Sequence, residues 1–392
     1  MPEYISPGVY VEETSFRGKS IEGVSTSVTA FVGYARRGTL ATAKAPKELA
    51  SFADFEKQFG GLADLSFSPR TNHLARAAKA FFDEGGQRLV IARVRSPRQA
   101  QKTSIADWQG ALDALAALKN ISIVAAPGST ELGPLVDAIQ LRLIAHAEAS
   151  GSYRFAVLDV PQGRSPTDAA SYRARFDSKC AAFYYPWVTV ANPLAAANAP
   201  NTLNLPPSGF ICGIYARTDR ERGVFKAPAN EVVRSAVGFE RAIDQADEEM
   251  LNPAAVNCLR HFEGRGNLVW GARTASSDPE WKYVNVRRYF IYLEQSIDLG
   301  TQWAVFEPNG EPLWAKVSGT ITNFLYQEWT RGALLGQKPE EAFFVRCDRS
   351  TMTQNDLDNG RLICLIGVAP IKPAEFVILR IGQWTADRKP DQ

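Results

Sequence analysis

The sequence predicts a chain of mixed α/β and α+β class: a three-layer α/β domain, an α+β C-terminal domain and an extended β arm at each end. Three observations carry this. From Ser104 to Val190, amphipathic segments alternate with short apolar runs, the pattern of parallel βαβ units. From Tyr283 onward, two long helical patterns are followed by strands that close the chain. Strand-like segments also lie near both ends, PGVYVEE (Pro7–Glu13) and EFVILRIGQW (Glu375–Trp384). The second carries Val377, Leu379 and Ile381 on one face and Phe376 and Ile378 on the other. A strand apolar on both faces needs cover on both, and a bare edge invites pairing with another chain. Two such arms predict a subunit that completes its neighbours' sheets by strand addition. The expected divisions are an N-terminal arm over 1–20, the α/β domain over 21–260, the α+β domain over 261–373 and a C-terminal arm over 374–392.

After the first arm, Thr29–Tyr34 reads as a buried strand ending at Arg36-Arg37-Gly38. Helical spacing follows in Phe52–Phe59 and Asn72–Phe82, then a strand over Arg88–Val94. Ser104 caps a helix whose Ile105, Trp108, Leu112 and Leu115 share one face. Next come a strand over Ile121–Ala125, a helix over Leu135–Ala149, a strand over Tyr153–Val160, a helix over Thr167–Asp177 and a strand over Ala181–Val190. Right-handed crossovers make such an array three-layered, and Pro186 demotes part of the last strand to an edge or bulge. Leu194–Pro207 reads as a loop, Phe210–Ala216 as helix and Phe239–Met250 as helix. Val256–Phe262 and Asn267–Arg273 read as a hairpin around Gly264–Gly266. Helices over Tyr283–Ile297 and Leu313–Leu334 and strands over Ala342–Cys347 and Arg361–Ala369 complete the second domain.

Composition sets limits on function. A net charge of +2 from 44 basic and 42 acidic residues offers no field for nucleic acid or an anionic membrane. The five cysteines at 180, 212, 258, 347 and 364 are scattered in sequence and read as reduced packing groups of a protein made in the cytosol. No apolar run reaches the roughly 18–20 residues of a membrane span, and MPEYISPG does not read as a signal peptide. The three histidines, His73, His146 and His261, stand apart, and no metal-ligand spacing occurs, so neither a metal nor a cofactor is expected. Gly264-Arg265-Gly266 reads as a tight turn rather than a phosphate loop, and Thr353-x-x-Asp356 with Asn359-Gly360 as a cap and a turn rather than a calcium loop. Ser208-Gly209 lacks the frame of a nucleophile elbow. Arg217–Arg222, the densest charge cluster, reads as an ion-pair loop in solvent or facing another subunit. No nucleophile, base and orienter come together, so no catalytic residue is expected.

The C-terminal half carries a specific resemblance. GVFKAPAN (Gly223–Asn230), LNPAAVN (Leu251–Asn257), GRGNLVWGAR (Gly264–Arg273), WKYVNVRR (Trp281–Arg288), TQWAVFEPNGEP (Thr301–Pro312), TMTQNDLDNG (Thr351–Gly360) and GVAPIKPAEFVI (Gly367–Ile378) resemble the tail sheath protein family of contractile phage tails, R-type pyocins and related injection particles. SPGVYVEE and the run Val24–Gly38 match the start of the same family. The resemblance implies a self-assembling structural subunit, stacked in sixfold rings as a helical polymer around an inner tail tube protein, with baseplate and tail terminator proteins at its ends. It implies no direct membrane insertion and no nucleic-acid partner. The α/β domain would lie on the outside. Val9, Tyr10 and Val11 would be one donated strand, and Phe376, Val377, Ile378 and Leu379 the other, with Pro7, Gly8, Pro370 and Pro373 as arm hinges. Such a protein is made in the bacterial cytoplasm and ends in a phage tail or a released tail-like particle. Two rivals stay open on the residues alone: an enzyme on the α/β domain, and a monomeric binding module whose end strands pair within one chain.

Overall fold

Five runs, TAFVG, LVIAR, IVA, FAVLD and AAFYY, are buried almost throughout, as strands covered on both faces must be. The structure is a computed structural model that describes residues 20–68, 70–97, 104–195, 200–376 and 378. Its described residues fall into two compact units, one within 25–292 and 370–392, the other within 1–24 and 293–369.

The larger unit is built on β1 (Thr29–Gly33), β2 (Glu48–Leu49), β3 (Leu89–Arg93), β4 (Ile123–Ala125), β5 (Phe155–Asp159), β6 (Ala181–Tyr185), β7 (Val188–Ala191), β8 (Thr202–Leu205), β9 (Glu231–Val232), β10 (Gly238–Phe239), β11 (Val256–Phe262) and β12 (Gly266–Val269). Among the described residues, nine of these form one sheet in the order β2-β3-β1-β4-β5-β6-β11-β12-β9. From β3 to β11 every pairing is parallel, and the outer pairings are antiparallel. The helices between them are α1 (Phe52–Phe59), α2 (His73–Asp83), α3 (Ile105–Ala116), α4 (Val136–Glu148), α5 (Pro166–Arg173), α6 (Ser208–Arg222) and α7 (Gln245–Leu251), followed by α8 (Val284–Thr301). The step from β1 to β3 runs one way along the sheet and the steps to β4 and β5 the other. Right-handed crossovers therefore place α2 on the face opposite α3 and α4. Helix α6 joins α2, and α3 packs on α4, which completes the expected three layers.

Local chemistry sets the element ends. Ser51, Asn72 and Ser104 accept backbone bonds at the starts of α1, α2 and α3, and Ser165 with Asp168 forms a capping box before α5. Pro186, after a cis peptide, ends β6, and the chain restarts as β7 in a separate sheet ordered β10-β7-β8. The stretch expected as loop between Leu194 and Pro207 contains β8, which pairs with β7. The helix expected over Phe239–Met250 is confined to α7, because Gly238–Phe239 is held as a strand and the Asp244–Asp247 capping box starts the helix late. The hairpin around Gly264–Gly266 forms as expected, both glycines taking positive φ. The boundary expected at 260/261 falls inside β11.

The charged run Arg217–Arg222 requires a correction. It is the C-terminal part of α6, not a loop, and Arg217 is buried. Its guanidinium donates to the Glu84 carboxylate at 3.0 Å, to Glu84 O at 2.8 Å and to Val232 O at 2.8 Å. The other Glu84 oxygen accepts from Ser235 N. Two residues on, Asp219 pairs with buried Arg288 at 2.6 Å and accepts from Thr26 Oγ1, while Arg288 also donates to Thr26 O. Arg217 and Asp219 each meet a buried counterpart, while Arg220, Glu221 and Arg222 stay exposed at the end of the helix.

The smaller unit holds the later part of α8, α9 (Glu311–Thr330), α10 (Pro339–Ala342), β13 (Phe343–Arg346), α11 (Gln354–Asp358) and β14 (Leu365–Val368). Leu313, Val317, Ile321, Phe324 and Leu325 bury one stripe of α9, and α9 packs on β13. Thr353 and Asp356 make the expected capping box at α11, with Gly360 at positive φ in the turn that follows.

The Arg217–Glu84 pair gives a direct stability test. Glu84→Ala leaves a buried guanidinium without its counter-charge and is expected to cost about 3–5 kcal/mol in denaturant unfolding. The double variant Glu84→Leu, Arg217→Met is expected to recover most of that loss.

Candidate assembly site: an open two-stranded sheet and an anchored arm root

Antiparallel β13 and β14 pair in the register Phe343↔Val368 to Arg346↔Leu365, and among the described residues this sheet has two strands. Each strand keeps one outer row of N–H and C=O groups beyond the ladder they share. A lone strand pair is marginal in water, and such edges are templates for another chain. The inner face is closed by Phe343, while the outer face shows Phe344 and Leu365 to solvent, and Leu335 is exposed in the same unit. Gly367 lies opposite Phe344, whose ring covers the space a Cβ would need. Before α9, Val305 is exposed and Phe306 fully so, at a φ of +67° that costs a non-glycine about 1–3 kcal/mol.

The chain leaves β14 and enters the larger unit at Pro370. There the root of the C-terminal arm is held by one carboxylate. Glu375 Oε1 accepts from Arg273 Nε at 2.7 Å and Asn252 Nδ2 at 3.1 Å, and Oε2 accepts from Tyr283 OH at 3.0 Å with Lys282 Nζ at 3.2 Å. Asn285 Nδ2 donates to Ile371 O and to Phe225 O. Burial alone would raise the Glu375 pKa, but the bonds from Arg273, Asn252 and Lys282 outweigh it and hold it at about 2. Ile371–Phe376 forms one wall of a largely apolar groove of about 850 Å³, across from Phe225, Ala227, Trp270 and Tyr283. Five of the seven C-terminal motifs meet here: Phe225, Asn252, Arg273, Tyr283 with Asn285, and Glu375 each come from a different one.

Of the expected donated strand, Phe376 and Ile378 are described and are 70% and 78% exposed, while Val377 and Leu379 lie outside the described residues. Phe376 is not in a strand, so the strand expected from Glu375 is not formed at its described start. Pro370 and Pro373 flank the root, both partly buried. Pro7, Gly8, Val9, Tyr10 and Val11 lie outside the described residues. The strand expected over Arg361–Ala369 is confined to β14.

At the C-terminal ends of the parallel strands, where doubly wound sheets place ligands, Tyr34, His73, Trp108 and Gly128 line a cavity of about 10 Å³, room for about one water. His73 pairs with Glu131 at 2.9 Å, and its ring meets Trp187 edge-on. Ser208 donates its N–H and hydroxyl to buried Asp159, whose carboxyl is pushed up to about 7 by that burial. His146, half-buried beside Arg154, is lowered to about 4 by desolvation and that charge, and His261 bonds Asn267 on the surface. The candidates considered in the sequence are packing and capping groups here. Among the described residues no three of His, Cys, Asp or Glu gather as a metal-ligand set, and no helix is long and apolar enough to cross a membrane.

Residues 101–275 match the phage tail sheath protein central domain and residues 276–383 the phage tail sheath C-terminal domain. The anti-feeding prophage helical sheath in its contracted state is 32% identical, with 96% of this chain and 99% of that chain covered and a TM-score of 0.78. The chain belongs to the phage tail sheath family. The sheath complex of an extracellular contractile injection system, also contracted, is 28% identical over 99% of this chain and all of that one, with a TM-score of 0.77. A prophage major tail sheath protein of Pseudomonas aeruginosa is 26% identical over 59% of this chain and 59% of its own length. The tail sheath protein of Enterobacteria phage T4 is 24% identical, with 26% of its length matched. This sheath protein is a structural protein rather than an enzyme, and its mixed α/β fold is that of solved contractile sheaths.

Removing the Glu375 charge tests the anchor. Glu375→Gln leaves Arg273 and Lys282 without their carboxylate and is expected to weaken the attachment by about 1.5–3 kcal/mol, read as faster proteolysis near Pro370–Phe376. Because the folded pKa lies below the ordinary 4.5, the attachment is fully present above about pH 4.5 and is lost as pH falls through about 2.

Proposed function

We propose that this chain is the repeating subunit of a contractile sheath, and that neighbouring subunits hold it by adding strands to the β13–β14 sheet. The observation that carries this reading is the two-stranded sheet itself, whose outer edges have backbone groups to offer and whose outer face exposes Phe344 and Leu365. The donated strands are Val9–Val11 from one neighbour and Phe376–Leu379 from another. Backbone bonds in an added strand do not depend on side-chain contacts that slide, so the mesh survives when subunits rotate. Pro7, Gly8, Pro370 and Pro373 are the joints that absorb the rotation.

A contact of this kind joins two different surfaces and does not close on itself, so it propagates as an open helix. Stacked sixfold rings around an inner tail tube follow from the same rule applied with ring closure. The tube, the baseplate and a tail terminator are the other partners. The work of contraction is stored in subunit packing, and shortening of the sheath drives the tube through a target envelope. The subunit is made in the bacterial cytoplasm and serves in a phage tail or a released tail-like particle. The matched anti-feeding prophage and injection-system sheaths are what support this placement.

Negative-stain electron microscopy of the full chain and of a version lacking Met1–Lys19, each co-expressed with an inner-tube protein, tests the reading. Tubes from the full chain and dispersed, folded subunits from the truncation are expected. Equal tubes from both would return the N-terminus to an ordinary intrachain role.

A further inference from the structure

The sequence scatters its cysteines, but the fold brings two of them together. Continuing the β13–β14 register by one step past Arg346↔Leu365 sets Cys347 directly across from Cys364. Ala369 N donates to Ala342 O at 2.8 Å, which marks Ala342 and Ala369 as a hydrogen-bonded pair at the other end of the ladder. Pairs alternate along an antiparallel ladder, so Cys347 and Cys364, five steps away, occupy a non-hydrogen-bonded position. Facing Cα atoms at such positions lie about 4.5 Å apart, within the roughly 4.4–6.8 Å that a disulfide spans. Both thiols lie on the face of Phe343 and Ile366, and each perturbs the other's titration. Thr351 Oγ1 donates to Ile363 O at 2.7 Å and pins the connecting loop beside the pair. Cys347 is buried at 7% exposure, while Cys364 is half-buried and reachable.

We propose that Cys347 and Cys364 form a redox pair that closes to a disulfide across the ends of β13 and β14 when the protein meets an oxidising small-molecule disulfide. The balance is simple thiol–disulfide exchange. The Cys364 thiolate attacks one sulfur of oxidised glutathione, giving a mixed disulfide and releasing one glutathione thiolate. The Cys347 thiolate then attacks the Cys364 sulfur, forming the intrachain bond and releasing the second. Two protein thiols are oxidised, one glutathione disulfide is reduced, and both protein protons end on the glutathione thiols. Burial raises both thiols, and the neighbouring Cys347 pushes Cys364 further, to about 12. Thiolate is therefore scarce at neutral pH and the reaction is slow. That suits a pair that stays reduced in a cytosol and closes afterwards. The consequence rests on the strand-addition reading: the bond fixes the register of the sheet that receives neighbouring strands while leaving its outer edges free.

The test uses the dispersed full-length chain, so it stands or fails independently of assembly. The reduced protein, with its five thiols, is incubated with oxidised glutathione at about pH 8.5, near the ordinary thiol pKa. Thiols are then counted in denaturant and linked peptides mapped. The thiol count is expected to fall by two, with the peptides of Cys347 and Cys364 joined. Cys364→Ser, altered at the more exposed partner, is expected to lose none of its remaining thiols to an intrachain bond. An unchanged count, linkage through Cys180, Cys212 or Cys258, or glutathione held on Cys364 without closure would each overturn the proposal.

Discussion

Backbone hydrogen-bonding capacity left over at a sheet edge is the constraint around which this molecule is arranged. The nine-stranded sheet of the larger unit handles its edges within the chain: β2 and β9 are two residues each, too short to template much. The β13–β14 sheet does the reverse. It stops at two strands, keeps Phe344 and Leu365 in solvent, and shields Gly367 under the Phe344 ring rather than under another layer. An uncovered edge is open to pairing with another chain, which is the use the proposed strand addition makes of it. A subunit of a polymer is where such an edge is an asset.

Pairing by strands only transmits force if the strand's root is held. Glu375 supplies that hold, with four donors on two oxygens and its charge matched by Arg273 and Lys282. Near the other end, Thr26 is fastened to the buried Asp219–Arg288 pair shortly after the N-terminal arm. Both roots thus end on ion pairs shielded from water, where removing one partner is far costlier than at a surface. The same charges that composition reports as a neutral balance are placed, residue by residue, at the points where the arms begin.

Much of this was legible in the sequence. The parallel strands were, because runs such as FAVLD and AAFYY are apolar on both faces and the intervening helices carry one apolar stripe. The capping box at Thr353 and the turn at Gly264–Gly266 were, because caps and positive-φ glycines are local chemistry. The motifs that meet at Glu375 were visible as motifs but not as one site, since their convergence depends on tertiary structure. Arg217–Arg222 misled because a dense charge run reads as solvated, and nothing local reveals that Glu84, far back in the chain, waits for Arg217. The strands at Thr202–Leu205 and Phe239 were lost for a similar reason: β8 and β10 exist through their pairing with β7, whereas Pro186 itself announced the break before β7. Cys347 and Cys364 could have been found only by fixing the register of β13 against β14.

Amide hydrogen exchange on Phe343–Arg346 and Leu365–Val368, compared between dispersed subunits and assembled tubes, tests strand addition most directly. The outer-edge amides of both strands should exchange rapidly in the free subunit and become strongly protected in the tube. Equal protection in the two states, or protection confined to side-chain contact surfaces elsewhere, would contradict completion of this sheet by neighbouring chains.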